Sequence, residues 1–169
     1  MTSDPFSTLD LSRRGAPTTG TDLSVLLSDW LIYQRHEFTR KLRDLSPEGL
    51  VEWSIPPMEL SVLGLIRHMT QMEHFYFSWG LGGGEKKYRY GEDDYAGGSV
   101  DTIEADLGYY FDEVEKADRA IAAMPSLEAT GEGHEWSLGA ALIKMIDEYA
   151  LHSGQAHMLR FAALGELRR

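Results

Sequence analysis

Apolar residues recur at intervals of three and four along most of this chain, the period of a helix with one buried face. In the first such stretch, from about Asp22 to Asp44, the positions Leu23, Leu26, Leu27, Trp30, Leu31, Gln34, Phe38, Lys41 and Leu42 keep this spacing. Ser46-Pro47 marks its end, because a residue before proline is steered out of helical geometry, and Pro56-Pro57 breaks any continuation. A second helix is expected from Ser61, a good N-cap, to about Trp79, where Gly80 and Gly82-Gly83-Gly84 stop it. The third spans about Val100 to Ala123. Its start is acidic, where negative charge complements the helix dipole, and Met124-Pro125 closes it. Ser137 can cap a fourth helix that continues to about Ala163, with Gly165 near its end. No segment alternates with a period of two. Four long helices joined by two long connections predict an all-α fold, a four-helix bundle.

The segments between these helices change the picture little. Residues 1–21 are polar and rich in Ser, Thr, Gly and Pro, which predicts a flexible arm ahead of a bundle domain over 22–169. Residues 80–99, GLGGGEKKYRYGEDDYAGGS, form a tyrosine-bearing loop of a length that is usually functional or mobile. Within it Glu92-Asp93-Asp94 lacks the glycine-punctuated pattern of a calcium loop and reads as solvated. The net charge of −11 repels phosphate backbones and anionic lipid, which argues against nucleic-acid and membrane partners. No apolar run approaches the roughly 20 residues of a membrane span, and the amino terminus lacks a signal-peptide stretch, so a cytoplasmic location is expected. The chain has no cysteine. Disulfides, thiolate ligands and a cysteine nucleophile are excluded, a metal must be held by nitrogen and oxygen, and thiol chemistry must use a thiol from outside.

The informative positions are polar residues on apolar faces. At about 100° per residue, Glu148 lies roughly 20° from Ala141, and His152 roughly 20° from both Ala141 and Met145. Both therefore project from the buried stripe of the fourth helix, and being four apart they can converge on one point. A carboxylate in a core costs several kcal/mol unless something compensates it. On the second helix, His68 shares a face with Ser61, Gly64, Leu65, Met72 and Phe75. Two imidazoles and one carboxylate are the ligand set of catalytic zinc sites that keep a position open, and also resemble the facial arrangement of non-haem iron. Spacing alone leaves other readings open: His68 and His152 as hydrogen-bonded core residues, Glu148 paired with an arginine such as Arg35, or a His–Glu hydrogen bond without metal. His157 points elsewhere on the helix, and His36, His74 and His134 are expected at the surface or at helix boundaries.

Three stretches carry a resemblance. LSVLGLIRHMTQMEHFYFSW resembles the second helix of DinB-like proteins, in particular the branch of mycothiol-dependent thiol S-transferases and maleylpyruvate isomerases. SLGAALIKMIDEYALHSGQAHMLR resembles that branch's metal-binding fourth helix, and TRKLRDLSPEGL the end of its first. The resemblance covers residues 22 to 165 and implies a DinB-like bundle in which His68, Glu148 and His152 hold a divalent metal, zinc above nickel or iron. It implies transfer of a low-molecular-weight, mycothiol-like thiol to a small electrophile, with the metal-bound thiolate as nucleophile. Gln155, one turn beyond His152, is the candidate residue for orienting either partner. The chain departs from the branch in two places: it has Gln155 and His157 where His-Ala-Gly-His-Ala-Asp is typical, and Lys144 where a histidine is common. Two alternatives share the site: a metal-dependent hydrolase, and a non-enzymatic, stress-related bundle stabilised by its metal. Apolar faces around the first helix would suit a homodimer.

Overall fold

A computed structural model describes residues 15–132 and 134–166. The expected arm over 1–21 lies mostly outside them; of its described part, Thr18 donates its backbone N–H to Asp29 Oδ2 at 2.6 Å. Asp22 caps α1 (Leu23–Thr39) by accepting from the Val25 amide. The helix tightens into a 3-10 turn at Arg40–Leu42 and stops there, with Asp44 left-handed at φ 65°. Ser46-Pro47 does more than end it. Ser46 caps, and Pro47 opens, a five-residue helix, α2 (Pro47–Val51), which the sequence reading missed. Proline suits a first helical position because the N–H it lacks would have no partner there.

Ser61 caps α3 (Val62–Glu73), accepting from the Gly64 amide at 3.0 Å. Leu63, Leu65, Ile66 and Met69 are all fully buried, which makes α3 the central helix of the bundle. It runs on as a π-helical segment, His74–Trp79. A 3-10 turn at Val100–Thr102 leads into α4 (Ile103–Ala123), and Met124 leaves helical geometry ahead of Pro125. Ser137 caps α5 (Leu138–Ala163). Its end carries the bond from Glu166 N to Phe161 O with Gly165 at φ 70°, a conformation glycine adopts without a Cβ clash. α1 lies chiefly against α5 and α3 against α4, with α3 also packed on α5. Among the described residues the architecture is all-α, as expected, and no helix is long and apolar enough to cross a membrane.

One polar network ties the four long helices. The Arg35 guanidinium of α1 grips the fully buried Glu73 of α3 through Nε–Oε1 at 2.7 Å and Nη2–Oε2 at 2.6 Å, and its Nη1 reaches Asp118 of α4 at 2.6 Å. Tyr149 of α5 donates to Glu73 Oε1 at 2.6 Å, so the 3.0 Å contact between hydroxyls is filled by the Tyr110 proton. Arg35 is thus the partner of Glu73, and not of Glu148 as one open reading had it.

A second pair joins the π segment to α4. His74 Nδ1 contacts Glu113 Oε1 at 2.9 Å, and Lys116 reaches Glu113 Oε2 at 3.2 Å. Burial pushes Glu113 up, but the bonds from His74 and Lys116 outweigh it and hold the carboxyl at about 2. The bond to Glu113 raises His74 above its ordinary value. A depressed carboxyl stabilises the fold above its ordinary pKa of 4.5 and loses that contribution as pH falls toward about 2. A raised imidazole stabilises below its ordinary 6.5 and loses its contribution as pH rises through the raised value. The pair therefore contributes most between about pH 4.5 and 6.5. Thermal melts across pH should show Glu113→Gln closest to the parent in strong acid and furthest below it in that window. A constant offset at every pH would refute the coupling.

Candidate metal centre

α5 presents Glu148 and His152 one turn apart on its inward face, and α3 presents His68 opposite them. Glu148 Oε2 lies 3.1 Å from His152 Nε2 and 3.8 Å from His68 Nε2, and a ligand atom of each residue falls within 4.8 Å of the others. Donors bound tetrahedrally to zinc at 2.0–2.2 Å stand about 3.4 Å apart, so the side chains are already close to that spacing. The two imidazole rings meet edge to face at 4.7 Å between centroids.

The outer nitrogens settle which inner atoms carry lone pairs. His68 Nδ1 faces Asp94 Oδ2 at 3.0 Å, and a carboxylate oxygen only accepts, so the proton is on Nδ1. His152 Nδ1 faces Gln155 Oε1 at 2.7 Å, an amide oxygen that also only accepts. On neutral rings both Nε2 atoms are then bare, and each faces Glu148 Oε2. Two imidazole nitrogens and a carboxylate oxygen then converge as three lone-pair donors, an arrangement that fits a cation.

The charges are set in the ligating direction. Burial raises the Glu148 carboxyl, but the hydrogen bond from Lys144 Nζ to Oε1 at 2.5 Å outweighs it, so the residue ends below its ordinary range. Burial lowers His152 and keeps it neutral. Lys144, one of the departures from the family pattern, thus occupies one oxygen of Glu148 and leaves the other facing the imidazoles. That hydrogen bond in turn raises Lys144.

Asp94 corrects the sequence reading, which took Glu92-Asp93-Asp94 as a solvated run. Glu92 and Asp93 are exposed, but Asp94 is buried beside His68, where Gln71 Nε2 also donates to Oδ2 at 2.8 Å. Burial raises its carboxyl, and the bonds from His68 and Gln71 more than offset this. Tyr95 follows, stacked on the His68 ring at 4.4 Å with 14° between planes. Burial beside Asp94 and Glu148 pushes its hydroxyl up to about 12, so it keeps its proton at neutral pH.

The loop reaches this position because α3 lets it. A Cβ on Gly64 would lie 2.5 Å from the Tyr95 carbonyl oxygen, so only glycine allows the loop backbone to come so close. Tyr90 is held as well: its amide donates to Gln71 Oε1 at 3.1 Å, and the Arg67 guanidinium lies 4.2 Å from its ring centroid. Residues 90–95 are therefore docked against α3 as one wall of the site.

Of the residues singled out in the sequence, His68, Glu148 and His152 meet, and Gln155 touches His152. His157 is exposed and packs its ring against Phe161. His74 sits at a helix boundary as expected but is half-buried on Glu113, and His134 packs edge-on against Phe75 and Trp79. Asp94, Tyr95 and Gln71 went unseen, although a buried-face glutamine one turn from His68 was a usable signal. No curated protein and no solved structure matches the chain. The description of one protein family matches residues 26–165, a span holding α3, α4, α5, the docked loop and all three converging residues, and on that match the chain belongs to the mycothiol-S-transferase family.

Proposed function

We propose that the protein is a divalent-metal-dependent transferase that joins a low-molecular-weight, mycothiol-like thiol to a small electrophile, with His68, Glu148 and His152 as metal ligands. The observation that carries this reading is the pair of bare Nε2 atoms facing one carboxylate oxygen, each imidazole pinned from behind by an acceptor. Nitrogen and carboxylate donors in this number suit zinc, with nickel and iron(II) as alternatives. Such a cation, once bound, supplies the positive charge that keeps a coordinated thiol deprotonated at neutral pH.

The chain's own residues do the rest. Asp94 and Gln155 hold the imidazoles in the ligating tautomer, which raises their basicity and fixes their direction. Gln155 is on this account a positioning residue, since its contact is with His152. Lys144 keeps Glu148 ionised and turned. Tyr95 walls one side of His68 and retains a hydroxyl proton that can be donated to an incoming group. In the transfer the thiol loses its proton to solvent, its sulfur forms a bond to carbon of the electrophile, and the leaving group departs from that carbon with the pair of the bond that breaks.

The test is incubation of the metal-loaded protein with mycothiol and a chlorinated aromatic, followed by mass spectrometry of the products. A thioether adduct that forms with metal and disappears after chelation is the expected result. Turnover of esters or amides without added thiol would favour a hydrolase. No adduct with mycothiol or bacillithiol would point to the non-enzymatic bundle.

A further inference from the structure

The side of α3 turned toward α4 carries a cavity that the proposed reaction does not use. It has a volume of about 500 Å³, within the range of small-molecule sites, and contains none of His68, Glu148 and His152. Its floor is Thr70 and Gln71 of α3 with His74 and Ser78 of the π segment, one wall is α4, and the other is the loop from Gly82 to Arg89.

The charge of this lining is inverted relative to the rest of the molecule. Lys87, Arg89, Lys116 and Arg119 face two carboxylates, Glu85 and Glu113, in a chain whose net charge is −11. Glu113 is already satisfied by His74 and Lys116, and Arg119 by Glu115 outside the cavity. Lys87 makes no ion pair among the described residues. Arg89 is held by stacking on Tyr109, with 3.8 Å from guanidinium carbon to ring centroid, which fixes the group, and among the described residues its N–H donors have no hydrogen-bond acceptor and stay open to an anion.

The backbone underneath is irregular in the same place. α3 widens into a π-helix at His74–Trp79, a form rare in proteins and frequent at functional sites, and this segment supplies His74 and Ser78. The loop wall is pinned to it through Gly82 N to Phe77 O at 2.8 Å, Gly84 N to Ser78 O at 3.0 Å and His74 Nε2 to the Glu85 carbonyl at 2.9 Å. The cavity is built on fixed backbone.

We propose that this cavity is a second binding site, for a small organic anion carrying carboxylate or phosphate groups, with Lys87 and Arg89 as its principal donors. Gln71 joins it to the candidate metal centre, since it lines the cavity and its amide holds Asp94. The proposal does not depend on the metal.

The experiment is a titration of the full chain, followed by amide NMR, with three probes: citrate, inorganic phosphate and glucose. Saturable shifts of the Gly82, Gly84 and Lys116 amides with citrate or phosphate, but not glucose, are expected, and the selectivity between the two anions identifies the class. Lys87→Glu and Arg89→Glu, singly and together, should each weaken binding roughly tenfold or more, as loss of a charge-assisted contact does. Arg160→Glu, a charge reversal away from the cavity, should leave the affinity unchanged. Lys87 is exposed, so its variant retains the fold and its spectrum provides the check. Binding of neither anion, equal binding of glucose, shifts spread evenly over the surface, or equal affinity in the Lys87 and Arg89 variants would each overturn the site.

Discussion

Replacing His68 or Glu148 with alanine should leave the purified protein essentially metal-free and should abolish thiol transfer. Each substitution removes one of three donors, and two remaining donors do not hold a cation against solvent. The electrostatic help a bound cation gives a reacting sulfur amounts to several kcal/mol, so the rate should fall roughly a thousandfold. Asp94→Ala defines a graded comparison. It keeps all three proposed ligands but releases His68 Nδ1, and outer partners of this kind are worth roughly 10- to 100-fold in metal affinity. Elemental analysis, competition with a chelator and adduct formation would report the series. Full metal content in Glu148→Ala would move the cation away from this centre. Wild-type affinity in Asp94→Ala would reduce the buried carboxylate to a loop anchor.

The second large effect concerns stability. Arg35→Met and Glu73→Leu, made singly, should each cost about 3–5 kcal/mol, because each strands a buried charge without its partner. For a domain of this size that lowers the melting temperature by roughly 6–20 °C. Made together, the two changes should restore most of the loss. The pair is gone, Tyr149 keeps Tyr110 as a hydroxyl partner, and Asp118, more than half exposed, returns to water. Urea denaturation of the two single variants and the double variant measures the coupling directly. Single losses below about 1 kcal/mol would mean that the network is hydrated rather than desolvated.

The two networks differ in how far the chain announces them. Glu148 and His152 are four residues apart on one apolar stripe, a relation fixed by helix geometry before any tertiary contact forms. His68 is legible for the same reason on its own helix. The fourfold helical pattern with its serine N-caps at 61 and 137 is likewise local, since a cap needs only the amide three residues on. Glu73 was overlooked, and Arg35 entered only as one possible partner of Glu148, because pairing across a bundle depends on the rotation and depth of each helix against its neighbours. Ser46-Pro47 was ambiguous at short range: the same dipeptide that stops one helix starts another, and only the packing of α2 against α3 decides between them.

What the sequence by itself determined is therefore the helical layout, the residue types of the three candidate donors, the exclusion of cysteine ligands, and the acidity of the chain. Those follow from residue type and from periodicities shorter than two turns. Tertiary structure alone decided that Asp94 and Tyr95 come in from a remote loop to back His68, and that four scattered cations line one cavity. The loop's approach is permitted by the missing Cβ of Gly64, thirty residues upstream of Asp94, and a contact at that separation leaves no periodic trace in the chain.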